Sequence, residues 1–307
     1  MRTYPFTRRL SYAGIVAASE RVAWTVDEVF ANRRFDGSAP IVPSSWVGVD
    51  ALPFLDDDDR LVLNHGRAFS YVHLLRNFEE FVPPHLGGVA EPAWHGERSR
   101  LRALFRFGEE EMKHQELFRR AERVLEESCG HPFGCYFDDA SVRVTAVTRS
   151  FLGHSALARF MILLALEWGT QRHYVESMRD ANATDALYGS LLKAHWVEEA
   201  QHTKADMLEI AALAGTMGDE EVTAAFDDLL AIAGLVDGVF AGQARAEVRA
   251  LEAIRGRQLT EDESSELQRV LHRSLSGIMA GVGLAHPTFG LVARALSPQG
   301  AARVGIA

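Results

Sequence analysis

The sequence predicts an all-α protein, in which four long helices form a bundle with one long crossover connection between the second and the third. Three observations predict this class. Apolar side chains recur at helical spacing over segments of several turns, and strand signals are scarce throughout the chain. The third observation is the connection itself, which runs from Cys129 to about Arg149 and exceeds the usual length of a helix–helix loop.

The first bundle helix is marked at both ends. An acidic run at 56–59 favours a helix start, because carboxylates are stabilised near the positive end of the helix dipole. Two prolines at 83–84 then end the helix, because proline cannot continue the backbone hydrogen-bond ladder. We therefore expect the first helix to run from Asp58 to Phe81 or Val82.

The other three bundle helices follow from their periodicity. We expect a loop rich in glycine and proline over 85–96. Helices should follow over about 96–128, 151–178 and 185–214, and Gly215 should end the last of them. Four such helices with one long crossover are typical of a ferritin-like bundle.

The rest of the chain is expected to be helical and to belong to the same single domain over 1–307. The bundle core would occupy 58–214, between an N-terminal extension at 1–57 and C-terminal helices with a tail at 215–307. The expected helices outside the core lie at 19–31, at 219–243 or beyond, and at 261–279.

The composition excludes several classes of protein. The chain has 307 residues and a formal net charge of −10, so it is a poor candidate for binding nucleic acid through the phosphates. Two cysteines, Cys129 and Cys135, are too few for a disulfide scaffold, and we expect free thiols in a reducing compartment. The most apolar stretch, 151–168, is interrupted by Arg159 and Glu167, and no secretory signal is visible. We therefore expect a soluble cytoplasmic protein with no membrane partner.

The most informative feature is a spacing that occurs twice. The second helix carries Glu111 and His114, and the fourth carries Glu199 and His202, so each helix has a Glu-x-x-His motif. Residues three apart lie on the same face of a helix, so both side chains of a motif can point inward together. One such motif is a weak signal. Two on alternate helices of a four-helix pattern, with a carboxylate on each of the other helices, indicate a two-metal site.

The first and third helices each offer one carboxylate. Glu167 follows an apolar run, where an unpaired carboxylate would cost several kcal/mol; the alternative is a pair with Arg172 or His173 where the helix leaves the core. In the first helix Glu79 lies on a more apolar face than Glu80, and we favour Glu79. The alternative for either residue is a solvated glutamate near a helix end.

A further histidine stands on the fourth helix. His195 lies four residues before Glu199 and seven before His202, so the three side chains fall within about 60° of one another around the helix. We interpret His195 as a ligand, the alternative being a core histidine. A ligating histidine generally donates its other N–H to an acceptor, for which Asp206 and Glu110 are candidates. Carboxylates and imidazoles together suit Fe or Mn.

The order of these residues resembles the p-aminobenzoate N-oxygenase family of ferritin-like di-iron enzymes, over roughly 60–214. The likeness rests on Asn77-Phe-Glu79, on Glu111-x-x-His114, on an isolated Glu167 and above all on His195-x-x-x-Glu199-x-x-His202. The resemblance implies seven metal ligands and no other catalytic residue. The implied ligands are Glu79, Glu111, His114, Glu167, His195, Glu199 and His202.

The resemblance also implies a reaction. It implies two Fe ions, with Mn or a mixed Fe/Mn pair as alternatives, and O2 as co-substrate. The implied activity is the N-oxygenation of an amine, as in natural-product biosynthesis, with electrons from an external donor or reductase. It further implies a homodimer and a small-molecule substrate whose identity stays open.

Three alternatives stay open from the residues alone. The chain could be another di-iron oxidase or hydroxylase, or a ferroxidase-like metal-binding protein without an organic substrate. It could also be a purely structural helical protein in which the Glu and His pattern is chance. The radical-carrying small subunit of ribonucleotide reductase fits less well, because Phe118 stands one turn past His114 and cannot carry a tyrosyl radical.

Overall fold

The computed structural model describes residues 3–91, 94, 96–137, 147–179, 184–277 and 282–306. These residues form helices and no strand, which confirms the all-α class. A single 3₁₀ turn, Pro5–Thr7, precedes the first α-helix. The α-helices are α1 (Tyr12–Ser19), α2 (Val26–Phe30), α3 (Ser44–Val47), α4 (Asp57–Glu79), α5 (Val82–Ala90), α6 (Arg98–Cys129), α7 (Gly134–Phe137), α8 (Ala156–Ser177), α9 (Ala186–Ala214), α10 (Asp219–Arg255), α11 (Glu261–Ser276), α12 (Val282–Leu284), α13 (Pro287–Leu296) and α14 (Pro298–Arg303).

Four of these helices form the predicted bundle. Helix α4 packs along α6, α8 packs along α9, and α6 also contacts α9. The long connection between the second and third bundle helices is confirmed, because it extends from the end of α6 to the start of α8. It contains the short helix α7 and a helical stretch at 147–152, and its residues 138–146 lie outside the described part of the chain.

Local sequence signals set the ends of the bundle helices. Asp56 and Asp59 form a reciprocal capping box that starts α4, so the acidic run begins a helix as predicted. Gly130 ends α6 with a φ of 70°, a left-handed conformation that costs glycine little. The Asp185 carboxylate starts α9 by accepting hydrogen bonds from the backbone N–H groups of Leu187 and Tyr188.

Two sequence-based expectations are wrong. The segment 19–31 is not one helix, because Thr25 and Glu28 form a capping box that starts α2 and leaves residues 20–25 between two short helices. The predicted loop at 85–96 is helical in its first half, since α5 reaches Ala90. The prolines that end α4 also start α5, because the first helical turn does not need the N–H group that proline lacks.

The start of one bundle helix also differs from the prediction by several residues. Helix α8 begins at Ala156 rather than at Phe151, because the Ser155 side chain accepts the N–H of Ala158 and caps the helix there. The C-terminal helices confirm the predicted positions: α10 spans the longer of the two expected ranges, and α11 begins at Glu261. The predicted last residues of α11, from 278 onward, lie outside the described part of the chain.

Flanking helices cover the bundle. Helix α1 packs on α6 and α9, and α10 packs on α4 and α8 as well as on α11. Cys129 and Cys135 are free thiols, as predicted. Among the described residues, no helix combines the length and the apolar character that a membrane crossing requires. The division into one core and two flanking segments stays a prediction.

A fully buried ion pair joins the bundle to the C-terminal helices. Arg67 of α4 donates from Nη2 to Glu247 Oε2 of α10 at 2.9 Å, and the same nitrogen donates to the Leu271 carbonyl of α11 at 3.1 Å. Both charged side chains are wholly shielded from solvent. Because each charge compensates the other in a low-dielectric interior, the pair ties three helices together.

Removing one partner of this pair should be costly. In Glu247→Ala the guanidinium of Arg67 stays buried without its carboxylate, and we expect the free energy of unfolding to fall by about 3–5 kcal/mol. Urea unfolding followed by circular dichroism measures this change. The matched control is the double variant Arg67→Met with Glu247→Leu, which should recover most of the loss. A single-variant loss below about 1 kcal/mol, as for an exposed pair, would contradict the expectation.

Candidate metal centre

Six of the seven predicted ligands place donor atoms in two overlapping groups inside the bundle. In each group, the nitrogen and oxygen atoms all lie within 4.8 Å of one another, and every residue is buried. The first group consists of Glu79, His114, His195 and Glu199. The second group consists of Glu111, His114, Glu199 and His202. Helices α4, α6 and α9 supply these residues, so the two Glu-x-x-His motifs meet as their spacing predicts.

Glu199 connects the two groups. Its Oε1 lies 2.7 Å from His195 Nε2 and 3.1 Å from His114 Nδ1, on the side of the first group. Its Oε2 lies 3.0 Å from His202 Nδ1, on the side of the second group. One carboxylate therefore presents one oxygen to each group, which is the geometry that a ligand shared by two cations requires.

The remaining contacts complete each group. In the first, Glu79 Oε1 lies 2.9 Å from His195 Nε2 and 3.8 Å from His114 Nδ1. In the second, Glu111 Oε1 lies 2.8 Å from His202 Nδ1. The neighbouring Glu80 points elsewhere and pairs with arginine side chains. The structure thus brings Glu79 rather than Glu80 to the centre, and the role of each residue as a ligand stays a prediction.

Glu167 lies at the edge of the centre, outside both groups. Its Oε1 is 4.0 Å from His202 Nδ1, and burial together with the nearby charge of Glu199 raises its pKa well above the ordinary value. The alternative prediction, in which Glu167 pairs with Arg172 or His173, is wrong. Arg172 pairs with Glu176, and the His173 Nδ1 atom accepts from a tyrosine hydroxyl. The role of Glu167 as a ligand stays a prediction.

Two glutamates fix the orientation of the motif histidines. His114 donates from Nε2 to Glu198 at 2.9 Å, and His202 donates from Nε2 to Glu110 at 3.1 Å. Each glutamate directly precedes the glutamate of the opposite motif. With Nε2 donating, the Nδ1 atom of each histidine faces the carboxylates of the centre, and loss of the Nδ1 proton would leave the lone pair that metal binding needs.

The sequence predicts only one of these two partners. Glu110 was one of two candidates from the sequence, and the other, Asp206, makes no hydrogen bond to a described residue. The sequence analysis does not identify Glu198, although the signal is present: another glutamate directly precedes the first residue of each motif. The first of each pair points to the other motif's histidine, and the second points into the centre.

Replacing these partners should weaken metal binding without removing a ligand. We expect Glu110→Gln and Glu198→Gln each to reduce metal affinity about 10- to 100-fold, because the histidine loses a charged acceptor that fixes its ring. Titration of the apoprotein with Mn²⁺, followed by calorimetry, measures the change. Glu109→Gln, at an exposed neighbouring position, is the control and should bind as the unmodified chain does. Unchanged affinity in both variants would contradict the assigned tautomers.

Several buried atoms of the centre make no well-aligned hydrogen bond, although three of them lie within 3.1 Å of a neighbouring side-chain atom. They are Glu79 Oε2, Glu111 Oε1, Glu199 Oε1 and His114 Nδ1. Buried polar atoms are nearly always paired, so a cluster of unpaired donor atoms facing one another indicates a missing partner. A set of carboxylate oxygens and imidazole nitrogens fits divalent Fe or Mn. The residues present therefore fit two metal ions.

Burial and neighbouring charges shift the pKa values of these groups. Burial raises the pKa of Glu79 well above its ordinary value. In Glu199, the charges of His195 and His202 overcome burial and hold the pKa well below its ordinary value. Burial would lower the pKa values of His114 and His195, but facing carboxylates raise both to about 9. Without metal, the centre therefore holds protons on its histidines at neutral pH.

Metal binding should consequently depend on pH. A cation must displace the protons of His114 and His195, so affinity should rise as pH increases toward about 9. The stability of the apoprotein should change in the opposite sense. A histidine whose pKa in the folded protein exceeds its unfolded value of about 6.5 contributes its full stabilisation of the folded state below that pH. This contribution is lost as pH rises through about 9. Calorimetric Mn²⁺ titrations across this range test the first trend, and a flat or falling affinity would contradict it.

Aromatic rings cover the histidines on their outer side. The pairs are Phe107 with His202 at 4.0 Å between ring centroids, Phe118 with His195 at 5.1 Å, and Trp24 with His114 at 5.8 Å. Trp24 belongs to the segment between α1 and α2, so the N-terminal extension closes one side of the centre. The Trp24 and His114 ring planes differ by only 6°.

An apolar cavity adjoins the inner side of the centre. It has a volume of about 30 Å³ and is bounded on one side by the predicted ligands. Its other wall consists mainly of apolar side chains: Leu75, Phe78, Val82, Leu163 and Leu166. The cavity therefore places apolar side chains directly beside the carboxylates of the centre.

Comparisons with known proteins give a distant structural likeness. No protein-family model and no curated protein matches the chain. Among solved structures, a mutant R2-like ligand-binding oxidase with an anaerobically reconstituted Mn/Fe cofactor is similar over 87% of this chain and 93% of that chain. The sequence identity is 12% and the TM-score 0.48.

Proposed function

We propose that this chain is a non-haem di-iron protein that activates O2 and oxidises a small organic substrate. One observation carries the proposal: two groups of buried donor atoms overlap, and Glu199 presents a different carboxylate oxygen to each. A single group would suit many cations, but two groups with a shared carboxylate suit a pair of ions at bridging distance. The donor set contains no thiolate, which favours Fe, Mn or a mixed pair.

The residues of the chain have distinct parts in this function. A bound iron pair would supply the electrons and the Lewis acidity that O2 chemistry requires. Glu110 and Glu198 hold the motif histidines in the ligating tautomer. The apolar wall of the cavity and the burial of the ligands lower the local dielectric, so that charges at the centre interact strongly. Leu163 and Leu166 line this cavity together with Glu167, so a substrate held there would contact them.

The finer reaction that we propose is N-oxygenation of an amine. The extra histidine supports this reading, because His195 contacts both Glu79 and Glu199 and so enlarges the first group as the family resemblance implies. The cavity limits the size of the substrate. Benzene occupies an engineered cavity of about 150 Å³, whereas the volume beside the centre is about 30 Å³. An aromatic amine would therefore require the leucine side chains of the wall to move.

The proposed reaction needs partners outside the chain. Each turnover requires two electrons, and we propose that an external reductase or small donor supplies them. We further propose a cytoplasmic homodimer that acts on a small molecule in natural-product biosynthesis. These proposals follow from the family resemblance and from the reducing compartment that two free cysteines favour.

The direct test is the reaction of the reduced, metal-loaded protein with O2. Anaerobic loading with Fe(II) should give two iron ions per chain, and rapid mixing with O2 should produce a transient absorbance change. With an added amine and a chemical reductant, mass spectrometry should detect label from ¹⁸O2 in the product. A chain that binds two iron ions but never reacts with O2 would contradict the proposal.

A ferroxidase-like function is the second candidate, favoured by the small volume of the cavity. In that case the centre would oxidise Fe(II) without an organic substrate. The same experiment distinguishes the two when Fe(II) is added in excess. Oxidation of many iron ions per chain, with a growing mineral and no labelled organic product, would support the ferroxidase. Oxidation that stops at two ions per chain would support the proposed oxygenase.

A further inference from the structure

An outer apolar cavity lies behind the inner cavity, which adjoins the metal centre. The outer cavity has a volume of about 20 Å³ and is bounded mainly by side chains of α4, α8 and α10 and of the helical stretch at 147–152. All the side chains that line it are apolar, and none belongs to a predicted metal ligand. The metal centre therefore does not account for this cavity.

The two cavities share one wall. Phe78 of α4, together with Leu163 and Leu166 of α8, lines both of them. On the inner side of this wall, Glu79 and Glu199 line the inner cavity. The three shared side chains therefore separate the outer cavity from the space beside the predicted ligands.

The outer cavity also extends toward the surface of the bundle. Val147, Leu235 and Val239 line it and are partly exposed. Phe78 and Leu163 of the shared wall, in contrast, are only 7% and 5% exposed. The outer cavity thus connects a partly exposed side of α10 with the buried wall beside the centre.

The chemistry and the size of the outer cavity favour a small apolar molecule. A buried water needs about two to four polar partners, and the lining side chains offer none. About 10–15 Å³ suffices for one molecule of the size of water, so a volume of about 20 Å³ has no room for an organic substrate. Molecular oxygen is uncharged, apolar and only two atoms long, and dry apolar cavities bind apolar guests such as xenon.

We propose that the outer cavity is a binding site for O2 on an apolar route from the partly exposed side of α10 to the metal centre. The proposal rests on the proposed function, because it names the path by which the co-substrate reaches the ions. Phe78, Leu163 and Leu166 form the gate of this route, since side chains in a packed core still change rotamer. No bond forms or breaks during the passage.

Three other interpretations make different predictions. A simple packing defect would hold O2 no better than other parts of the core. O2 could also enter the inner cavity past Glu167 and Thr170, which line that cavity and are partly exposed. In the third interpretation, the outer cavity widens and holds an apolar part of the organic substrate. The experiments below separate these cases.

The first arm of the test detects O2 in the cavity. O2 is paramagnetic and broadens the NMR signals of nearby methyl groups, and Zn²⁺ replaces iron because it is diamagnetic and does not react with O2. In Zn²⁺-loaded protein with labelled isoleucine methyl groups, O2 pressure should broaden the signals of Ile162 and Ile232, which line the outer cavity. Ile41 and Ile210 are equally buried but line neither cavity, and they should broaden several-fold less. Equal broadening of all four would overturn the proposal.

The second arm measures the reaction of the Fe(II)-loaded protein with O2. Val236→Phe fills the outer cavity without touching the inner one. The bimolecular rate constant for O2 should fall about 10-fold or more, because side chains that must part around a filled cavity add at least about 1.4 kcal/mol to the barrier. In turnover with a chemical reductant, the KM for O2 should rise while kcat stays unchanged. Leu235→Phe, at the partly exposed side, should act in the same direction with less strain on the core.

Two variants serve as controls for the added volume. Val248→Phe makes the same change on the same helix, in a part of the core that lines neither cavity. It should react with O2 at the normal rate. Val236→Ala enlarges the outer cavity and should react at least as fast as the unmodified protein. All variants should keep two iron ions per chain.

The outcomes separate this proposal from the proposed function. If the unmodified protein reacts with O2 and both phenylalanine variants of the outer cavity react equally fast, O2 enters elsewhere, and the route is wrong while the function stands. If the KM of the organic substrate rises instead of that of O2, the cavity holds part of the substrate and the proposal is overturned. If the unmodified protein does not react with O2 at all, the proposed function fails, and the route fails with it.

Discussion

Glu199→Ala should abolish the binding of both metal ions, although it removes a single side chain. Glu199 belongs to both groups of donor atoms and presents Oε1 to one and Oε2 to the other. Without it, His195 and His202 each lose a carboxylate that lies within 3.0 Å. We expect metal content to fall from two ions per chain to none after gel filtration, as measured by mass spectrometry of the metals. Absorbance changes on mixing with O2 should disappear as well.

The control for this variant is Glu116→Ala on α6. Glu116 is exposed and belongs to neither group of donor atoms, so its loss should leave two ions per chain. Circular dichroism should show that both variants stay helical, because most of the bundle's stability comes from its apolar core. Retention of one metal ion in Glu199→Ala would show that the groups are independent. Retention of two would show that the shared carboxylate is misassigned.

His195→Ala should remove one ion and leave the other. His195 belongs only to the first group, where its Nε2 lies 2.9 Å from Glu79 Oε1 and 2.7 Å from Glu199 Oε1. The second group keeps all four of its members. We expect metal content to fall from two ions per chain to one, and the reaction with O2 to be lost, since two-electron reduction of O2 is shared between two ions in the proposed function. Added imidazole should restore part of the lost metal.

A second buried histidine provides the matched control. His85 is fully buried, packs against Phe160 and has no hydrogen-bond partner at either ring nitrogen among the described residues. His85→Phe should therefore keep two ions per chain and a normal reaction with O2. If His195→Ala also keeps two ions, His195 is a core residue. The resemblance to the N-oxygenase family would then lose the residue that supports it most.

The bundle could be predicted, and so could the contact between its two Glu-x-x-His motifs, because the sequence signals for both are local. A run of helical periodicity and a Glu-x-x-His spacing each need only a few turns of sequence. Once Glu111 and Glu199 lie on the inner faces of α6 and α9, the bundle brings their histidines together without further information. The position of Glu79 followed in the same way, from the apolar character of its face. Helix boundaries were less secure, because a single cap such as Ser155 moves a start by several residues.

The surroundings of the centre could not be predicted, because they depend on contacts between distant segments. Glu198 was visible in the sequence, but its hydrogen bond to His114 joins residues on different helices. Trp24 lies far from His114 in the chain, and its ring reaches the histidine only because α1 packs on α6 and α9. The small volume of the cavity depends likewise on how the leucines of two helices interlock. Tertiary packing determines such features, and the helical periodicity of the sequence does not show how the helices pack.

The most direct test of the two-metal centre is anomalous X-ray diffraction from crystals of the chain grown with Fe(II) under anaerobic conditions. The structure predicts two anomalous peaks per chain inside the bundle. One should lie among Glu79, His114 and His195, and the other among Glu111, Glu167 and His202, with Glu199 bound to both. A single peak, or peaks outside the bundle, would contradict the two-metal centre and the function proposed from it.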